Sequence, residues 1–186
     1  MTATALEIPG LVAGTWEIDP AHSDVAFTVR HMMVSKVRGN FGAFTGTIVT
    51  TQDPLESSVE ASIDLTSIDT RNEQRDAHIR TADFFDVENF PAMTYRSTGI
   101  RPDGDRFVVD GELTLRGVTR SVPLALEING VGPDAYGGTR IGFSATTEIN
   151  RTDFGVNWNA AIEAGGVVVS EKVSIALEIQ AVLRQG

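Results

Sequence analysis

The sequence predicts an all-β domain, an antiparallel barrel of eight or nine strands. Three observations predict it: period-two alternation of apolar and polar residues, turn residues between the alternating rows, and rows of about ten residues. Val25, Phe27 and Val29 alternate with Ala26, Thr28 and Arg30, and Val59, Ala61, Ile63 and Leu65 with Glu60, Ser62 and Asp64. Phe107, Val109, Gly111, Leu113 and Leu115 form a third row, and Val122, Leu124, Leu126 and Ile128 a fourth. Ile141, Phe143, Ala145, Thr147 and Ile149 form a fifth, and Val173, Ile175, Leu177 and Ile179 a sixth. Successive side chains on a strand face opposite ways, so each row has one dry face and one wet face.

Turn residues separate the rows at Asp53-Pro54, Pro102-Asp103-Gly104, Arg116-Gly117, Asn129-Gly130 and Gly137-Gly138. Arg116-Gly117, between two long rows, reads as a tight hairpin. With Thr15–Ile18, Arg38–Thr50 and Ala92–Ile100, eight or nine strands are expected. A sandwich shows the same alternation, but long meander strands joined by tight turns favour closure into an up-and-down barrel. An eight-stranded barrel is either filled by side chains or just wide enough for one ligand. Small residues at Ala61, Gly111, Ala145 and Ala181 would leave interior volume unless large neighbours take it.

One segment breaks the alternation. Thr70-Arg71-Asn72-Glu73 has the spacing of a capping box, so a short helix is expected near residues 71–81, outside the sheet. Pro91 then returns the chain to an extended form. The glycine-rich Gly39–Gly46 stretch is neither a dinucleotide fingerprint nor a phosphate loop. Its glycines suit a bent strand or close backbone approach. Phe41 and Phe44 have opposite parity, so one should face inward and one outward.

Composition narrows the function classes. The 186 residues suit one domain, and the absence of cysteine excludes disulfides and thiolate chemistry. With a net charge of −10, only two lysines and scattered arginines, the chain is a poor match for nucleic acid or an anionic membrane. No apolar run reaches the ~20 residues of a membrane span, and the N-terminus shows no secretory pattern, so a cytoplasmic location is expected. Residues 1–13 read as a flexible N-terminal segment and residues 14–184 as the barrel domain.

Chemistry is sparse. His22, His31 and His78 lack the spacing of a metal-binding helix, so no metal site and no cofactor are expected. Ser23 lacks a nucleophile elbow, and His22 beside it points the other way along an extended chain. Asp83, Asp86 and Glu88 read as a solvated face. Arg75, Asp76 and His78 form either a polar rim at a cavity mouth or surface ion pairs, each contributing less than ~1 kcal/mol. No catalytic constellation emerges, so no enzyme is expected.

Several segments together resemble one family. They are Ile18-Asp19-Pro20-Ala21-His22-Ser23, Phe27-Thr28-Val29-Arg30-His31, Val37-Arg38-Gly39-Asn40-Phe41 and Ser67-Ile68-Asp69-Thr70. Arg75-Asp76-Ala77-His78, Asp83-Phe84-Phe85-Asp86, Phe90-Pro91, Gly111 through Thr119 and Asn150 through Gly155 continue the series. In order and spacing they resemble the YceI-like family of polyisoprenoid-binding proteins, over about Thr15 to Leu183. The resemblance implies a lipocalin-like, eight-stranded barrel with an elongated interior for a long isoprenoid, an isoprenoid-quinone-like lipid or a similar amphiphile, held for storage, transport or sequestration. Many members are exported. The alternatives are an enzyme acting on an apolar substrate in the same barrel, or a filled barrel serving as an interaction module. Homodimerisation through an exposed strand or loop is compatible with the sequence. Strand parity assigns Phe27, Val29, Ile63, Phe107, Val109, Leu113, Leu124, Phe143 and Ile175 to the cavity wall. His31, Arg75 and His78 are candidates for the head-group end.

Overall fold

The computed structural model describes residues 8–32, 34–159 and 169–185. Its strands are β1 (Gly14–Ile18), β2 (Asp24–His31), β3 (Ser35–Phe41), β4 (Phe44–Thr50), β5 (Ser58–Asp64) and β6 (Ile68–Asp69), followed by helix α1 (Glu73–Arg80). Then come β7 (Ala92–Asp103), β8 (Arg106–Leu115), β9 (Val118–Ser121), β10 (Leu124–Pro133), β11 (Thr139–Asn150) and β12 (Val169–Leu183).

These twelve segments form eight strands, because four of the eight are interrupted. β1 runs into β2, β3 into β4, β5 into β6 and β9 into β10. Each composite strand pairs antiparallel with the next: β2 with β3, β1 with β4, β4 with β5, β3 with β6, β5 with β7, and onward to β12. β12 pairs back with both β1 and β2, which closes the ring. The expected eight-stranded antiparallel barrel with one short helix is the observed architecture. Closure leaves no long free edge.

The interruptions have identifiable causes. Asp19 caps a 3-10 turn at Pro20–His22, its carboxylate accepting from the Ala21 N–H at 3.0 Å. Between the Ile18↔Ala181 and Val25↔Leu177 pairs, one strand advances seven residues and the other four. The turn absorbs the surplus and bends the strand. Asp64 caps a similar turn at Leu65–Ser67 between β5 and β6. Pro123 lacks an N–H and breaks β9 from β10, yet the register on β8 is the same on both sides.

Several local expectations need correction. Phe41 and Phe44 are both buried, because the chain leaves the ladder at Gly42-Ala43 and the break resets parity. Asn129-Gly130 is no turn. It is a bulge inside β10, where the register to β11 shifts between Ile128 and Gly130. Thr70 does not cap the helix. Asn72 does, its Oδ1 accepting from the Arg75 N–H at 2.9 Å. Thr70 is buried at the end of β6, and its hydroxyl donates to Asp76 Oδ1 at 2.5 Å. Arg116-Gly117 is the tight hairpin turn, with φ of 52° and 74° as a type I′ turn needs.

Helix α1 and the loop after it lie against one end of the barrel. Ile79, Phe84 and Phe85 pack on the core, and Arg116 donates to the carbonyls of Ala82 and Phe84, each at 2.7 Å. The other end is plugged by Trp16, Ile48, Ile141 and Ala181. Trp16 Nε1 donates to Thr50 Oγ1 at 2.8 Å, and the Thr50 hydroxyl donates to the Val12 carbonyl at 2.7 Å. Of the residues expected to be flexible, Met1–Glu7 lie outside the described residues. Leu11 packs on this plug.

Two outcomes follow. At Gly111 an added Cβ would meet the Tyr95 ring, pinned by its hydrogen bond to Val122, and the Arg96 carbonyl at 2.8 Å. Gly111→Ala should therefore cost ~1–3 kcal/mol, read as a lower urea midpoint with an unchanged m-value. The second concerns the bend at Pro20–His22. Asp19 Oδ2 binds Arg140 Nη1 at 2.8 Å and His22 Nδ1 at 2.7 Å. The Arg140 hydrogen bond leads in holding the Asp19 carboxyl down to about 2 from 3.8, against partial desolvation. A depressed carboxyl stabilises the fold above its unfolded pKa and stops doing so as pH falls through its folded one. Asp19→Asn should be less stable than wild type at neutral pH, and the gap should close between about pH 4 and 2 in pH-dependent melts.

Candidate ligand-binding cavity

The interior is open. In a filled barrel every inward side chain would be fully buried, yet Phe27, Leu124, Leu126, Phe143 and Leu177 are only half-buried. The space they border divides into two chambers of about 190 Å³ and about 230 Å³. Val25, Met93 and Ile175 line both, so the chambers abut there. Together they fall within the ~300–1,000 Å³ of small-molecule sites.

The first chamber lies toward the Trp16 plug and is almost wholly apolar. Ile63, Phe107, Val109, Leu113, Leu124, Phe143 and Ile175 are on its wall, and Ile8 and Leu11 join at the far end. The Tyr95 hydroxyl is spent on the Val122 carbonyl at 2.8 Å. Burial, helped by the charge of Asp110, pushes that phenol up to about 12, so it stays neutral. Ala61 and Ala145 border this space, as their size suggested. Gly111 and Ala181 do not: the Tyr95 ring covers one, and the other packs into the Trp16 plug.

The second chamber lies beneath α1. Phe27, Val29, Phe41, Ile79, Phe84, Phe85 and Trp158 form its apolar wall, and Ile175 reaches it from the first chamber. Its polar lining is basic: Arg30, His31, Arg75, His78 and Arg151, with no carboxylate among the described lining residues. His78 Nε2 lies 2.8 Å from Asp83 Oδ2, and its ring stands edge-on to Phe84 and Trp158, with centroids 5.2 and 4.9 Å away. Arg75 Nε donates to Thr70 Oγ1 at 2.8 Å and its Nη2 to the Thr70 carbonyl at 2.6 Å. All nine residues assigned to the wall by parity border one chamber or the other. The three head-group candidates meet in the second. The third histidine, His22, sits at the Asp19 turn outside both.

Arg151 escaped the sequence reading, although a signal for it exists. It continues the inward parity of Ile141 through Ile149. It is 5% exposed and donates to the carbonyls of Ser170, Val156, Trp158 and Val169 at 2.8–3.2 Å. No carboxylate lies within ion-pair distance of it among the described residues, and burial lowers its pKa while Glu171 opposes the shift. Trp158, Phe84 and Phe85 sit in irregular segments, where no periodicity marks an inward residue. Among the described residues no cluster of three His, Asp or Glu is placed to hold a metal ion.

Residues 16–181 match the family model of the YceI-like domain. The chain belongs to the YceI-like family. It is 38% identical over 148 residues to Protein YceI of Escherichia coli O157:H7, covering 78% of each chain. It is 36% identical over 155 residues to UPF0312 protein plu2095 of Photorhabdus laumondii, covering 82% of this chain and 81% of that one. The YceI protein of Campylobacter jejuni has a similar crystal structure, with a TM-score of 0.72 at 30% identity over 90% of this chain and 96% of the other. A polyisoprenoid binding domain from Saccharophagus degradans shares the fold, with a TM-score of 0.69 at 17% identity over 93% and 100% of the two chains.

The role of Arg151 in this YceI-like barrel can be tested directly. Arg151→Met should lose ~3 kcal/mol or more in urea unfolding, because it strands buried carbonyls. Arg151→Lys should not restore the loss, since one ammonium cannot reproduce the planar fork.

Proposed function

We propose that this YceI-like barrel binds a long isoprenoid, or a similar amphiphilic lipid, for storage, transport or sequestration. The tail threads from the second chamber into the first, and the head group stays at the basic end beneath α1. One observation carries this reading. Two abutting apolar chambers end in a basic lining that includes His31, Arg75, His78 and Arg151, with no acid among the described lining residues, in a chain with 25 acidic residues against 15 Lys and Arg. An anionic or strongly polar head fits that end, and nothing polar is needed elsewhere.

Tail burial can supply the affinity. Each buried methylene contributes ~0.8 kcal/mol, so a tail of about twenty buried carbons has a gross drive of ~16 kcal/mol before association and ordering costs. Orientation then needs only modest head-group contacts. The shared fold of the Saccharophagus degradans polyisoprenoid binding domain supports the same ligand class.

Native mass spectrometry of the purified protein, with solvent extraction of what co-purifies, tests the proposal. An intact lipid is expected. A chemically converted product would favour an enzyme, and an empty barrel that takes up no added prenyl lipid would overturn the binding reading. Phe143→Asp, which puts a charge in the first chamber, should abolish retention while leaving a folded barrel.

A further inference from the structure

We infer that the β2–β3 hairpin tip docks this barrel onto an anionic lipid bilayer, beside the second chamber. At the tip, Val34 is 88% exposed and Met32 41% exposed. Met32 has φ of 55°, a left-handed conformation that a tight turn normally gives to Gly or Asn. The fold gains nothing from apolar side chains there, so their use points outward.

Beneath the tip lies a cationic cluster. Arg30 and Lys36 sit directly opposite each other across the hairpin, and Arg38 follows two residues along. All three are exposed. Like charges paired across strands oppose the fold unless something neutralises them. Among the described residues none of the three is in an ion pair. No Asp or Glu occurs between Asp24 and Asp53. The hairpin itself supplies no carboxylate to neutralise them, and Glu171 and Asp69 on the flanking strands make no ion pair with them.

An apolar tip beside a one-sided cluster of three cations fits lipid: the tip enters the acyl boundary, and the cations meet head-group phosphates. Nucleic acid would use the cations but not Val34. The net charge of −10 does not prevent this, because screening over ~8–10 Å leaves the local cluster in control at contact. Val29 and His31, just before the tip, line the second chamber, as does Val37 just after it. Docking therefore sets that chamber at the membrane, where a tail can pass without crossing water.

Co-sedimentation tests this, with vesicles of equimolar phosphatidylcholine and phosphatidylglycerol against phosphatidylcholine alone. Binding is expected only to the anionic vesicles, and it should fall as salt rises. Lys36→Glu should weaken it by about fivefold or more, the scale of one basic residue near such a surface. Val34→Asp should weaken it comparably. Both sites are exposed, and unfolding midpoints check that the barrel is intact. No binding to anionic vesicles would overturn the inference. So would binding that neither substitution changes, or a Val34-dependent self-association in place of vesicle binding. The assay reads docking whether or not the barrel holds a ligand, so its failure leaves the lipid-cavity reading standing, and an empty barrel leaves docking standing.

Discussion

The pairing of β12 with both segments of one bent strand, β1 and β2, is the constraint on which the rest of this barrel depends. Its C-terminal part meets β1 and its earlier part meets β2, across a turn that bends the first strand. Without that bend the two registers could not both be satisfied, and the ring could not close along its length. Closure turns the apolar faces of eight strands toward one another and removes the long edges at which such strands aggregate. The Asp19, His22 and Arg140 cluster is the local fastening of the bend, tying it to β11, and Arg140 also reaches Gln180 of β12.

A closed ring of eight strands is not automatically hollow. Here the ends are handled differently. Trp16 and its hydrogen bond to Thr50 plug one end. At the other, α1 and its loop set aromatic side chains over the opening, with Phe85 against Phe41 at 6.1 Å between ring centroids. Between the ends, partly exposed Leu and Phe side chains leave the two chambers that Val25, Met93 and Ile175 divide. Charge follows the same axis. The chamber at the plugged end has no charged residue among its described lining, and the helix end holds Arg75, His78 and Arg151, each positioned by hydrogen bonds of its own. Such a gradient would orient an amphiphile without a specific head-group lock.

How much of this was legible in the sequence depends on which physical rule acts where. Strand parity is strict within an unbroken ladder, so the wall residues from Phe27 to Ile175 could be read directly. The same rule put Phe41 and Phe44 on opposite faces, but two residues off the ladder at Gly42-Ala43 restart the alternation and both are buried. Asn129-Gly130 has turn chemistry, but cross-strand pairing with β11 absorbed it as a bulge. Thr70 has capping chemistry, but burial and Asp76 claimed its hydroxyl first. Arg151 was readable by parity and was passed over because it is charged. Trp158 and Phe84 carry no periodic signal at all, since the loops that place them are fixed by Arg151 and Arg116. Whether the interior was filled could not be read from residue size, because Tyr95 fills the space at Gly111 while the space at Ala145 stays open.

The most direct test of a tail-binding interior is calorimetric titration with a homologous series of prenyl phosphates that differ only in tail length. Affinity should rise with each added isoprene unit and level off once both chambers are occupied, with a negative heat-capacity change that grows in parallel. Affinity independent of tail length would show that the interior does not hold the tail, and would contradict the tail-binding reading.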